Sequence, residues 1–220
     1  MANNNSAAPR MIYHEDFLMG ASDTPLEPFT YTETSTSTNA TGAPVANAAN
    51  GQYALTMTSD NEVQVLTAHF GDQLVIPATA APVFECRIKI DAAMSANSLF
   101  VCGLAAAQND DEDAITDAAW FKMVGADLAL VIEADDSTNN TDDQATGVSL
   151  VADTFATLKV DMTNTDAIKF IVDGALVGTI SASAFESTDL LQPFIQLRKA
   201  SSTDTAVLTF DYIHVEWNRS

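Results

Sequence analysis

Apolar and polar residues alternate along short segments of the chain, most clearly in VFECRIKID at residues 83–91. The apolar residues at even positions from Phe84 to Ile90 fall on one face of this segment, and charged residues occupy the positions between them. Successive side chains of a strand point to opposite faces, so this order places one face on a core and the other in water. Residues 83–91 are therefore predicted to form a half-buried β-strand.

Similar short apolar segments recur along most of the chain. The segments predicted as strands are 11–17, 29–34, 52–58, 62–70, 74–76, 83–91, 98–106, 119–124, 128–134, 155–162, 167–174, 175–180, 193–199 and 205–218. Val63 and Val65, with Leu66 as a further candidate, are expected to face the core. Only short helical turns are predicted, within 109–119 and 181–191. Many short strands without a long helix indicate an all-β, antiparallel two-sheet sandwich or jelly roll.

The dipeptide Asp173-Gly174 lies between two of these apolar runs. A two-residue hairpin turn requires positive φ angles, which Asp and Gly tolerate. The sequence therefore predicts a tight β-hairpin at this point.

Three polar segments interrupt the strand pattern. Residues 1–10 are small and polar and are predicted to form a flexible N-terminal arm, while residues 11–220 are predicted to form a single domain. Residues 35–51, rich in Ser, Thr, Asn, Ala and Gly, are predicted to form a long polar loop, because such a segment buries little apolar area. Residues 135–147 are predicted to form an acidic loop.

The charge balance excludes several partners. Nine Lys and Arg stand against 30 Asp and Glu, for a formal net charge of -21. A nucleic-acid partner requires clustered cations, and an anionic membrane surface would repel this chain. No apolar run reaches the roughly 18 residues of a membrane span, and no secretory signal is visible at the start of the sequence.

Cysteine and histidine residues give no metal-binding or catalytic spacing. Cys86 and Cys102 each lie in an apolar strand segment and are predicted to be small core residues rather than part of a disulfide framework. His14, His69 and His214 are far apart in the sequence. We therefore expect no catalytic residue among them.

The order ECRIKID, LFVCGL, FATLKVDM, IKFIVDGALVGTI, PFIQLRK and TFDYIHVEW resembles the concanavalin A-like (laminin-G type) jelly-roll sandwich. This resemblance implies that the first strand, Ile12–Phe17, lies beside the last, Phe210–Trp217. These motifs are structural and specify no ligand.

A second resemblance, to tailed-bacteriophage capsid decoration or cement proteins, rests on Ala2–Arg10, Tyr13–Phe17 and Asp211–Val215. It implies a non-enzymatic virion protein on the capsid exterior, assembled in the cytoplasm of the bacterial host. Such a protein would bind the major capsid protein and stabilise the head, as a homo-oligomer for which a trimer is the family analogy. The arm and the polar loop would order on that partner. The residues expected to contact it are Asn3, Asn4, Asn5, Arg10, Thr36, Thr38 and Asn39.

Two alternatives remain open. The first is a carbohydrate-binding, lectin-like module of a phage fibre or cell surface, with Trp120 as an exposed residue for stacking on a sugar. The second is a glycan hydrolase, because hydrolases of the same sandwich carry Glu-x-Asp-x-Glu on one strand. Here Glu133, Asp135 and Ser137 match that motif except at its third carboxylate.

No cofactor is expected, with a structural calcium ion left open. Asp110, Asp111 and Asp113 offer the oxygen ligands that Ca²⁺ prefers, although they do not match an EF-hand loop. A solvated acidic loop explains the same residues.

Overall fold

A computed structural model describes residues 9–18, 25, 27–37, 39–92 and 94–219. In these ranges the chain forms sixteen strands and two short 3₁₀ turns. The strands are β1 (Arg10–Glu15), β2 (Thr30–Thr34), β3 (Thr41–Pro44), β4 (Tyr53–Thr56), β5 (Glu62–His69), β6 (Ile76–Pro77), β7 (Val83–Ile90), β8 (Ser98–Ala105), β9 (Asp117–Val124), β10 (Ala129–Asp136), β11 (Asn140–Ser149), β12 (Ala156–Asp161), β13 (Ile168–Val172), β14 (Ala175–Ile180), β15 (Leu190–Ser202) and β16 (Val207–Asn218). The turns are Glu112–Ala114 and Thr165–Ala167. None of the helical segments described is long and apolar enough to cross a membrane.

The strands form two antiparallel sheets, which confirms the predicted jelly-roll sandwich. The first sheet has the order β14-β13-β12-β7-β16-β4-β3, with β1 also paired to β16. The second has the order β11-β10-β9-β8-β15-β5-β2, with β6 also paired to β15. The pairing of β1 with β16, in which Arg10 lies opposite Asn218, confirms that the first strand lies beside the last.

The main core lies between the two sheets and follows from the alternation in the sequence. In β7, the even-numbered residues from Phe84 to Ile90 are fully buried, as predicted. Phe100, Cys102 and Leu104 of β8 face them from the second sheet and are also fully buried. Burying such side chains supplies most of the favourable free energy of folding.

The second sheet also carries a small apolar cluster on its outer face, away from the main core. This outer cluster consists of Val101, Ala105, Ile115, Ala118, Trp120 and Phe194. The segment 106–116 crosses over this part of the sheet. Gln196 Nε2 donates to the carbonyl oxygen of Asn109 at 2.8 Å, and Gln192 Nε2 donates to that of Ala106 at 3.1 Å. The second sheet is thus covered on both faces at this point.

The predicted hairpin at Asp173-Gly174 is confirmed. The two residues connect β13 to β14, and their φ angles are 49° and 80°. Val172 and Ala175 pair directly across the turn. The positive φ angles are those that favour Asp and Gly in such a turn.

Two edge strands, β3 and β11, are not predicted by the sequence pattern. The predicted acidic loop at 135–147 contains most of β11, and the predicted polar loop at 35–51 contains β3. Both strands lie at the edge of a sheet and are largely exposed. Backbone hydrogen bonds to one neighbour hold an edge strand, so it needs no apolar stripe.

Two further predictions were wrong. The segment 181–191 contains two turns and the first two residues of β15 instead of a short helix. Val63 is 46% exposed, whereas Leu66 is fully buried in the main core. Val63 and Val65 are two positions apart in β5, so their side chains point to the same face of the sheet. Leu66 points to the opposite face. Val65 is nonetheless buried on the face that it shares with Val63.

A buried lysine, Lys199, binds backbone carbonyl groups near the end of β15. Lys199 of β15 has no exposed surface, and its Nζ donates to four backbone carbonyl oxygens. The acceptors are Thr58, Asp60, Ser202 and Asp204, at 2.5, 2.8, 3.0 and 3.1 Å respectively. One ammonium group therefore ties the end of β15 to the loop between β4 and β5.

We expect Lys199→Met to lower the free energy of unfolding by at least about 3 kcal/mol, because it removes all four hydrogen bonds that this buried ammonium group donates. Urea unfolding followed by circular dichroism measures this change. Lys169→Met is the matched control, because the Lys169 side chain is 48% exposed and lies 3.9 Å from Asp161. Its effect should stay below about 1 kcal/mol. Equal losses in the two variants would contradict the structural role of Lys199.

Candidate functional site

An acidic pocket of about 200 Å³ lies on the outer face of the second sheet, beside the outer cluster. Its lining combines an apolar floor with carboxylates and one lysine. The lining residues are Glu112, Asp113, Ile115, Ala118, Trp120, Lys122, Glu133, Asp135, Asn140, Asp142 and Asp143. Within the part of the chain that the structure describes, six carboxylates and one ammonium group line this pocket.

Strand alternation places the central residues of the pocket. In β9, Phe121 and Met123 face the main core, so Trp120 and Lys122 point to the outer face. In β10, Ile132 and Ala134 face the core, so Glu133 and Asp135 also point outward. The register pairs Glu133 with Trp120. Their side chains therefore meet on the outer face.

Trp120 forms the floor of the pocket and is only 3% exposed. Its Nε1 donates to Glu133 Oε2 at 2.7 Å, and its ring stacks on Phe194 with ring centroids 6.0 Å apart. Gly103 of β8 lies beneath it. A Cβ atom at Gly103 would come within 2.6 Å of Trp120 Cα and 2.3 Å of the Ala119 carbonyl oxygen. Glycine is therefore required here for β9 to lie close to β8.

Lys122 and Glu133 form the central ion pair. Lys122 Nζ lies 3.0 Å from Glu133 Oε1 and 3.2 Å from Asp113 Oδ1, with Glu112 and Asp143 at 3.7 and 3.8 Å. The Lys122 side chain is 7% exposed, and Glu133 is 5% exposed. Both Glu133 oxygens are therefore held, one by an ammonium group and one by an indole N–H.

The protonation of this pair follows from burial and from the neighbouring charges. Burial raises the pKa of Glu133 to about 6, although the Trp120 hydrogen bond and the Lys122 charge act to lower it. Burial alone would lower the pKa of Lys122, but Glu133, Asp113 and Asp143 raise it above its ordinary value. Lys122 thus stays charged while Glu133 gains a proton in mildly acidic solution.

Asp135, two residues after Glu133, faces the same pocket. Its pKa is raised by burial and by the like charges of Asp117, Asp136 and Asp142. The pocket therefore holds two carboxyl groups on one strand face that bind protons more tightly than an exposed aspartate or glutamate.

The predicted calcium ligands lie at the edge of the pocket. Carboxylate oxygens of Asp111, Glu112 and Asp113 lie within 4.8 Å of one another. Arg198 already contacts Asp111 at 3.1 Å and Glu112 at 2.6 Å, and Lys122 contacts Asp113. A metal ion at this cluster would have to displace these cations, so the residues fit a bound metal poorly. Asp110 accepts hydrogen bonds from the side chains of Thr34 and Gln108.

Of the residues predicted to contact a partner, the described ones, Arg10, Thr36 and Asn39, do not line this pocket. Asn3, Asn4, Asn5 and Thr38 lie outside the described residues. Arg10 belongs to β1 and pairs with Glu216 at 3.1 Å. The Thr36 amide donates to Glu62, and the Asn39 side chain donates to Asp60.

Sequence reasoning singled out Trp120, Glu133 and Asp135 and missed Lys122. Trp120 was expected to be exposed, whereas the structure buries it against Phe194. Lys122 stands among apolar residues in AWFKMV, and that isolated position in a strand is the signal for a buried, paired lysine. The partners of Lys122 come from β10, β11 and the segment 106–116. The apolar and polar pattern of a single strand cannot predict contacts with these separate segments.

The comparisons with known proteins support the fold. No protein-family model matches the sequence, and no curated protein is similar enough to count as a match. A protein of unknown function from Shewanella oneidensis MR-1 has a similar structure, with a TM-score of 0.69 at 15% identity over 96% of this chain and 88% of that one. A beta-1,3-glucanase from Mycobacterium marinum matches with a TM-score of 0.59 at 14% identity, over 92% and 97% of the two chains. The carbohydrate recognition domain of Emp46p, in its potassium-bound form, matches with a TM-score of 0.54 at 10% identity, over 86% and 88%.

These structures confirm the concanavalin A-like sandwich and correct one expectation. The prediction of a non-enzymatic protein was wrong, because glycoside hydrolases are among the structures with this fold. At these identities the likeness shows the fold alone. The Emp46p domain occurs in potassium-bound and metal-free forms, which is compatible with a structural metal in this fold. The comparisons show no link to capsid decoration proteins.

We expect Glu133 to titrate near pH 6 in the folded protein, above its ordinary value of 4.5. The folded state then binds this proton more tightly than the unfolded state. The resulting stability is fully present below about pH 4.5 and is lost as the pH rises through about 6. Between these limits the stability of wild type relative to Glu133→Gln should fall by on the order of 1–2 kcal/mol. A ¹³C NMR titration of the carboxyl groups checks the pKa directly, and a midpoint near 4 for Glu133 would contradict it.

Proposed function

We propose that the protein recognises a glycan in the acidic pocket on the outer face of its second sheet. The observation that carries this proposal is the buried Glu133 carboxylate, fixed by Trp120 and Lys122 at the base of an open cavity. A concave site with an apolar floor and a few fixed polar groups is the usual form of a small-ligand site. Structures of the same fold include a carbohydrate recognition domain and glycan hydrolases.

Recognition would use the hydroxyl groups of the sugar. Carboxylates of Asp135, Asp142 and Asp143 line the pocket and would accept hydrogen bonds from them. Hydrogen bonds to an ionised group are stronger than those between neutral groups. The ion pair between Lys122 and Glu133 would keep the base of the site rigid, so the pocket would not need to change shape when the sugar binds. Ala118 and Trp120 line the floor but are almost fully buried, so they would offer only a small apolar area to the ring carbons of the sugar.

The charge of the pocket favours one class of sugars. Six carboxylates against one ammonium group, counted over the described residues, repel a ligand that carries carboxylate or sulfate groups. Neutral glycans and amino sugars escape this repulsion. We therefore propose neutral or amino-sugar chains as the ligands, in place of uronic acid or sulfated chains.

A glycan array followed by isothermal titration calorimetry tests this proposal. We expect binding of neutral or amino-sugar oligosaccharides with a Kd in the micromolar to millimolar range, and no binding of sulfated chains. Asp142→Lys should weaken the binding of an amino sugar at least about tenfold, since it reverses a charge that faces the ligand.

Glu186→Lys is the matched control, because it reverses a charge in the same way at an exposed residue that does not line the pocket. It should leave the affinity unchanged. Absence of binding to every neutral and amino-sugar chain, or equal weakening by the control, would overturn the proposal.

A second candidate function, glycan hydrolysis in the same pocket, is favoured by the pKa of Glu133. Glycosidases use a protonated carboxyl group as the acid for the leaving group and a second carboxylate as nucleophile or base. Burial keeps Glu133 protonated up to about pH 6. Asp135 projects from the same strand face. Glu133 would then donate the proton, and Asp135 would supply the second carboxylate.

Release of reducing ends from neutral polysaccharides tests hydrolysis separately from binding. If it occurs, Glu133→Gln and Asp135→Asn should each reduce the rate at least about 100-fold. Tight binding without any release of reducing ends would contradict hydrolysis and leave glycan recognition intact.

A role as a capsid decoration protein stays a prediction of the sequence alone. It includes the major capsid protein as partner, a homo-oligomer such as a trimer, and a place on the capsid exterior. Its support is the resemblance carried by Tyr13–Phe17 and Asp211–Val215. Co-sedimentation with phage heads would test it.

A further inference from the structure

The two cysteines meet in the main core, although they belong to different sheets. Cys86 lies on β7 of the first sheet and Cys102 on β8 of the second. Their Sγ atoms are 2.9 Å apart, and both residues are fully buried as free thiols. They are the only two cysteines of the chain.

The surroundings hold the two thiols in this position. Cys86 pairs in register with Leu158 on one side and Ile213 on the other. Cys102 pairs with Phe121 and Ile195. All four neighbours are fully buried. Close packing of this kind leaves each sulfur few directions other than towards its partner.

We propose that Cys86 and Cys102 form a disulfide that links the two sheets through the centre of the core. A disulfide has an S–S length of about 2.05 Å, so the two sulfurs need to approach by about 0.9 Å in total. Small rotations of the two side chains supply such a movement. The separation of 16 residues in the sequence gives a loop whose closure restricts the unfolded chain.

The reaction needs an oxidant, for which a small-molecule disulfide such as oxidised glutathione is sufficient. One cysteine thiolate attacks this disulfide and releases one small thiol, forming a mixed disulfide. The second cysteine thiolate then attacks the protein sulfur and releases the other small thiol. Each cysteine loses one proton, and the two electrons pass to the small-molecule disulfide.

The burial of the two cysteines determines when during folding the disulfide can form. Burial, together with the neighbouring Cys102, raises the pKa of the Cys86 thiol well above its usual range. A thiol is unreactive in that state, since the thiolate is the nucleophile. Oxidation is therefore expected while the sheets are still open. Once formed, the bond should resist reductants until the protein unfolds.

The test uses the full-length protein refolded in a buffer of reduced and oxidised glutathione. Mass spectrometry after alkylation in denaturant should show a monomer that is two hydrogen masses lighter than the reduced chain and carries no alkyl group. The oxidised form should melt on the order of 5–10 °C above the reduced form. Dithiothreitol should reduce it at least tenfold faster in denaturant than under native conditions.

A Cys86→Ala/Cys102→Ala double variant separates the bond from the packing of the thiols. Its melting temperature should be the same with and without reductant. Two alkylated cysteines per chain after refolding in an excess of oxidised glutathione would overturn the proposal. A disulfide only between two chains would overturn it as well. Neither result depends on glycan binding, so this inference stands or falls separately from the proposed function.

Discussion

The structure depends on one constraint, which is that part of the second sheet is buried on both faces. Its inner face packs against the first sheet, and the segment 106–116 covers the outer cluster on its outer face. Within this doubly covered part of the sheet, side chains on either face have little access to bulk water. Any polar residue on it must therefore find a partner inside the protein. Lys122 and Glu133 are paired for this reason, and the acidic pocket exists where the cover stops.

The burial of the second sheet on both faces also helps to explain where several of the few basic residues lie. Lys122, Arg198 and Lys199 occupy buried or half-buried positions in β9 and β15, where they neutralise carboxylates or bind carbonyl groups. Breaking a buried ion pair costs about 3–5 kcal/mol because one charge is left without its partner. The formal net charge of -21 for the whole chain is tolerable, since water and salt screen the exposed carboxylates. A basic residue therefore contributes more to the stability of the fold at a buried position than at an exposed one.

The sequence predicts the fold well because period-two alternation is a local signal. Residues 83–91 and the turn at Asp173-Gly174 each carry enough information to define their own structure. The edge strands β3 and β11 escape this reasoning, because backbone hydrogen bonds to a neighbouring strand hold them and most of their side chains are exposed. The pocket was harder to predict. Glu133 and Asp135 could be found from their spacing on one strand, but the partners of Lys122 come from three separate segments. The burial of Trp120 depends on Phe194, which is 74 positions away in the sequence.

The position of Glu133 explains why the fold alone does not decide between binding and catalysis. A carboxylate that is held by an ammonium group and an indole N–H is a rigid acceptor, which suits recognition. The same burial raises its pKa towards the range in which a carboxyl group can donate a proton to a leaving group. Lys122 opposes that second role, because its charge favours the ionised form of Glu133. A ligand that drew Lys122 towards Asp113 or Asp143 would weaken this opposition and raise the pKa of Glu133 further. The balance between the two proposed functions would therefore depend on which carboxylate Lys122 contacts when the pocket is occupied.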